Sequence, residues 1–216
     1  MGAMPEFRTE PLVVPSVSGL LPEGERDRRV ALTSFATRAS EHRVPQREII
    51  CYECGKRCSV PAAALSAHCI HCHSHLNLAD MEIKPGSHRL TVRTAGRVFV
   101  PAETELSAPL SVRCGDLEIR GHITGSFFCT GCLTIASTLQ LSGAVRAAEL
   151  RVEKGACVTL KEGARVRTAT VAGHVQGILR ARGIVRVLRT GMLEGDCAAE
   201  QVAVEPGGQW LGQPLR

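Results

Sequence analysis

From about residue 83 onward, the chain alternates apolar and polar positions in short blocks. Leu90/Val92, Val98/Val100, Leu110/Val112, Leu117/Ile119, Leu133/Ile135, Leu139/Leu141, Leu150/Val152, Val158/Leu160, Val185/Val187 and Val202/Val204 each set two apolar residues two positions apart. Such alternation places both on one side of a strand, so each block predicts a strand with one buried face. The intervals are too short for helical crossovers. They fit hairpins or a coil of short parallel strands.

Glycine placement favours the coil. Ile119–Gly125, Leu141–Ala147, Val171–Gly177 and Leu193–Ala199 repeat one phrase, in which an apolar residue is followed by Gly two positions on, an apolar residue or Cys two further, then a small residue. Small residues belong where a corner brings two backbones close together. Stacked coils bury one another's faces, as in any solenoid. At roughly 18 residues per coil, residues 83–213 predict about seven coils and a rod roughly 34 Å long. The stretch Glu153–Gly163 reads as an extra strand or a widened turn.

Ahead of the strands stand Cys51-Tyr-Glu-Cys54 and Cys69-Ile-His-Cys72, separated by 14 residues. Two such pairs supply four thiolates for one tetrahedral zinc ion. Gly55 follows the first pair, where a tight knuckle favours positive φ. The apolar residues of 48–79 are too few to hold a fold alone, so metal binding would supply much of its folding free energy. The segment Cys51–Ala63 with Cys69–His73 resembles the zinc-ribbon family. Cys58, His68, His71, His73 and His75 crowd the same site as alternative ligands, with the four paired cysteines preferred.

Composition adds limits. Aromatics make up 3% of the chain, too few for a large mixed core, and the net charge of +5 is too mild to indicate nucleic acid. No apolar run reaches membrane-spanning length, and no secretory leader is visible. Ten cysteines in that setting suggest a reducing, cytoplasmic compartment. Residues 1–47, rich in Pro and charge clusters, read as a disordered, solvated tail, with Ala31–Thr37 as a candidate short helix and a weak membrane or partner contact through Phe7, Leu12, Val13, Val14, Leu20 and Leu21 as the alternative. Met1–Phe7 reads as a cloning remnant.

Residues 90–213 resemble the bactofilin family of bacterial polymer-forming cytoskeletal proteins. The resemblance lies in Cys114–Gly121, in Val171–Gly177, and in the ending from Leu193–Asp196 through Val202–Gly208 to Trp210–Gly212. It implies a right-handed parallel β-helix of triangular section, end-to-end polymerisation without nucleotide, and association with the inner membrane surface through the tail. The zinc ribbon is no part of that family's minimal core, and Trp210 stands where members often carry Phe.

The expected chain is therefore all-β: a disordered tail (1–47), a zinc ribbon (48–79) and a β-helix (83–213). It is a self-polymerising scaffold and not an enzyme, serving proteins at the cell envelope. One structural zinc on Cys51, Cys54, Cys69 and Cys72 is expected, with Trp210 and Leu211 as an end-to-end interface. The alternative is a ribbon-based adaptor for nucleic acid or protein without filaments. Nucleic acid is not the preferred partner. Three further features read as structural. Cys114, Cys129, Cys132 and Cys197 fill the interior, with a second metal on the first three as the alternative. His122 and His174 lie at the surface. Arg180, Arg182, Arg186 and Arg189 form a solvated stripe whose charge keeps rods from sticking sideways.

Overall fold

The computed structural model describes residues 44–87 and 89–215. The tail, with its short helix and apolar contacts, lies almost wholly outside them. Four short strands form the cysteine module: β1 (Gln46–Ile50), β2 (Arg57–Pro61), β3 (Ser66–His68) and β4 (His75–Asn77). They pair as two antiparallel hairpins, β1 with β2 and β3 with β4. The first strand thus begins two residues before the boundary expected from sequence.

All the remaining strands form one parallel sheet wound into three faces. The first face stacks β5 (Met81–Glu82), β7 (Arg97–Val100), β9 (Asp116–Ile119), β11 (Cys132–Ile135), the ends of β13 (Val145–Val152) and β14 (Cys157–Val171), β16 (Ile184–Val187) and β19 (Gln201–Val204). That makes about eight turns, one more than the sequence suggests. The second face runs from the start of β8 (Glu105–Cys114) and of β10 (His122–Cys129), through β12 (Leu139–Leu141) and the starts of β14 and β15 (His174–Ala181), to β17 (Met192–Glu194) and β20 (Gln209–Leu211). The third stacks β6 (Thr91–Arg93), the later parts of β8 and β10, the start of β13, the middle of β14, the end of β15, and β18 (Cys197–Ala198).

The alternating pattern produces this directly. Val98 and Val100, Leu117 and Ile119, Leu133 and Ile135, Leu150 and Val152, and Val185 and Val187 all point inward and are buried. Each such side chain contributes about 1.5–3 kcal/mol relative to exposure. Cross-strand partners hold them in columns, as Leu117, Leu133 and Leu150 do.

Corners carry the glycines. At Gly125 φ is +139°, and a Cβ there would collide with the carbonyl oxygen of Leu110 on the coil before. Gly177 repeats this arrangement against Leu160. The repeated phrase does not mark one site per coil, however. Gly121 and Gly173 turn the chain from the first face to the second, whereas Gly143 and Gly195 turn it from the second to the third. The stretch Glu153–Gly163 resolves into a turn at Lys154–Gly155, an ordinary second-face rung, and a widened corner where the register shifts between Leu160 and Ala164.

The module rests on the first coil. Ala95 packs against its cluster of Cys51, Cys58, Val60, Cys69, Leu76 and Leu78. The buried Thr94 hydroxyl donates to the carbonyl of Ala79 at 2.6 Å, and the Ala95 amide donates to that of Asn77 at 2.7 Å. Glu53 reaches across to pair with both Arg93 and Arg113 of the third face.

Candidate functional site

Two hairpins bring the four paired cysteines together by the same local device. In the first, the Gly55 amide donates to the Cys51 carbonyl at 2.8 Å, and the Cys51 amide donates to that of Lys56 at 2.9 Å. In the second, His73 donates to Cys69 at 2.8 Å and Cys69 to Ser74 at 2.9 Å. Each knuckle needs a left-handed residue at the same place. Gly55 fills it at φ +72°, and His73 fills it at φ +59°. That position explains His73 by conformation, a role the sequence did not reveal.

The four sulfurs lie within 4.8 Å of one another. Cys51 Sγ is 3.8 Å from Cys72 Sγ, and Cys54 Sγ is 3.7 Å from Cys69 Sγ. Metal–sulfur bonds of about 2.3 Å in a tetrahedron give sulfur–sulfur edges of roughly 3.8 Å. Backbone amides also turn toward the sulfurs, Cys54 N to Cys51 at 3.5 Å and His71 N to Cys69 at 3.4 Å. The four cysteines are thus arranged to hold a metal ion.

Thiol acidity is split across the cluster. Burial pushes Cys51 up to about 12. Burial would raise Cys69 too, but amides of Cys72 and His71 and the neighbouring thiols outweigh it and bring Cys69 down to about 5. A cation bound among them favours the thiolate throughout.

Cys58 and the histidines sit outside this set. Cys58 is buried with its Sγ 3.5 Å from Cys69 Sγ. His68 and His75 meet edge to face at 5.3 Å, and His71 Nε2 lies 3.1 Å from the Arg57 carbonyl. Of the other cysteines, Cys114 and Cys129 are opposed on neighbouring rungs, buried, with sulfurs 3.6 Å apart. The bond from Cys114, then burial, pushes the Cys129 thiol well above its ordinary value, so it packs as a neutral group. Cys132 lies on another face and bonds Thr134. Cys197 is buried in the core. His122 is exposed, whereas His174 is half-buried, its Nε2 3.3 Å from Glu194.

At the far end, β19 and β20 stack on β16 and β17 and carry no further strand among the described residues. Trp210 is half-buried against the core, while Val204 and Leu211 are exposed.

Fold and site together define a three-faced parallel β-solenoid with a four-thiol knuckle module at its first coil. The family model described as Bactofilin: Polymer-forming cytoskeletal matches residues 75–161, from the last module strand into the fifth coil. Over residues 75–161 the chain is thus similar to the bactofilin domain of a polymer-forming cytoskeletal family, and the three-faced solenoid fits that family's fold. The columns beyond residue 161 continue the same faces. Neither a curated protein nor a solved structure matches the chain.

Proposed function

We propose that this chain is a cytoplasmic, non-enzymatic scaffold whose rods join end to end into nucleotide-independent filaments that position other proteins at the envelope. The match of residues 75–161 to a polymer-forming family supports self-association. The observation that carries the choice of interface is the last coil. There, strand edges lack a further partner among the described residues, and Val204 and Leu211 remain exposed. An open solenoid end must be capped or paired, and a second copy pairs it with matching geometry. Trp210 and Leu211 sit at that contact.

The module would bind one zinc ion through Cys51, Cys54, Cys69 and Cys72. Its role is structural, because it fixes the hairpins that rest on Ala95 and Thr94. Negative-stain microscopy of the purified chain without added nucleotide tests the main reading. Filaments are the expected result, and a uniformly monomeric preparation at micromolar concentration would refute it.

A further inference from the structure

We propose that the third face carries a track for single-stranded nucleic acid, formed by Arg146, Arg165 and Arg180 with Arg167 and Arg182 beside them. Register builds the track. Phe128 opposes Arg146, Arg146 opposes Arg165, and Arg165 opposes Arg180, on successive rungs about 4.8 Å apart. All of these side chains are exposed. Arg167 and Arg182 lie two residues further on, toward the next corner. Both rows line one cleft of about 360 Å³, together with Ala147, Val166 and Ala181.

Folding alone does not call for this arrangement. Like charges directly opposed on neighbouring strands destabilise a sheet. Elsewhere the chain cancels such charge. Glu118 pairs with Arg97 and Arg120, Glu149 pairs with Arg151, and Glu53 pairs with Arg93 and Arg113. No ion pair forms to Arg146, Arg165, Arg167, Arg180 or Arg182 among the described residues. Glu162 lines an adjoining hollow with Arg165 and Arg180 but makes no ion pair with either. An external anion would relieve the repulsion.

The occupant follows from three features. Every cation of the track is arginine, whose planar fork matches phosphate oxygens two at a time. The charges run in line along the rod and flank a cleft, which suits a linear polyanion better than a planar bilayer. At the near end stands Phe128, with the Arg113 and Arg146 guanidinium groups 5.5 and 4.9 Å from its ring centre. Phe128 holds these guanidinium planes in place, and base rings can stack on such planes as they do on aromatic side chains, so a basic groove of this kind suits single strands without sequence preference.

The test is fluorescence anisotropy of a labelled oligothymidine, about 20 nucleotides long, titrated with the full chain between roughly 50 and 200 mM salt. Arg146→Gln/Arg165→Gln/Arg180→Gln should weaken binding at least about tenfold and reduce the slope of log K against log salt by about 2, near 0.7 per lost phosphate contact. Lysine at the same three positions should restore the slope. Phe128→Ala should weaken binding about fivefold or more with the slope unchanged. Arg151→Gln/Arg186→Gln, on the first face, should stay within about twofold of the parent. Circular dichroism checks each fold, and Arg165→Gln alone serves if the triple variant misfolds. Equal binding by parent and triple variant would overturn the proposal, as would tighter binding of a duplex of equal length. Phosphatidylglycerol vesicles captured through the same arginines, with no oligonucleotide bound, would replace it with a membrane surface.

Discussion

The indole Nε1 of Trp210 donates to the carbonyl of Gly195 at 3.2 Å, one coil back along the rod. The ring is thus tied to its own solenoid, while the next residue, Leu211, remains 55% exposed. The two side chains should respond differently to substitution. Leu211→Glu is expected to convert filaments into small species with the β signal intact, because burying an unpaired charge at a contact is costly. Trp210→Ala should instead lower stability by about 2 kcal/mol, less than a fully buried ring because this one is half-exposed. Sedimentation combined with circular dichroism separates them. Undiminished polymers in Leu211→Glu would rule out a C-terminal interface.

Metal content tests the knuckles. Elemental analysis should find near one zinc per chain, and Cys54→Ser with Cys72→Ser should abolish it. Stripping the metal with a strong chelator should expose residues 46–78 to protease, since the module's small cluster cannot hold two hairpins alone. The solenoid's β signal should survive, because its core columns are built separately. Full zinc retention in the double variant would show that other side chains bind it.

Corner glycines should show two grades of sensitivity. Gly125→Ala puts a methyl into the Leu110 carbonyl at φ +139° and is expected to cost more than about 2 kcal/mol. Gly155→Ala meets only the backbone penalty, because open space surrounds that position, and should cost about 1 kcal/mol. Denaturant midpoints compare the two, and equal losses would contradict the close approach at the corner.

Acid should weaken one ion-pair cluster selectively. Burial would raise the Glu118 carboxyl, but bonds from Arg120 and Arg97 outweigh it and hold it below its ordinary value. A carboxyl depressed on folding contributes stability above its unfolded pKa of about 4.5 and loses that contribution as pH falls through its lower folded value. Glu118→Gln should therefore cost about 0.5–1 kcal/mol at pH 7, discounted because both arginines are more than half exposed. The difference from the parent should shrink below pH 4 in thermal melts. A gap constant down to pH 3 would refute the ion-pair account.

The cysteine pairs and the inward apolar positions were legible because each depends on local spacing. The faces were not. Along the first face, Leu117 falls in line with Ala169, Leu133 with Val185 and Leu150 with Val202, each 52 residues and three coils apart. Single coils vary in length, from 16 residues between Leu117 and Leu133 to 19 between Leu150 and Ala169. An average coil of 18 therefore hides which residues share a column. Arg180, Arg182, Arg186 and Arg189 look like one stripe in sequence. Register instead sets Arg180 against Arg165 on the third face and Arg186 against Thr170 on the first, while the Arg189 amide meets Glu205. The arginines that belong with Arg180 lie one and two coils away.

The turn at Lys154–Gly155 offers a practical handle on this molecule. It projects from the middle of the rod, and nothing lies within 4 Å of where a Gly155 side chain would begin. A fluorescent tag inserted there would leave the cysteine module and the last coil unaltered. Live imaging with such an internal fusion could follow assembly without blocking the end at which rods are proposed to meet.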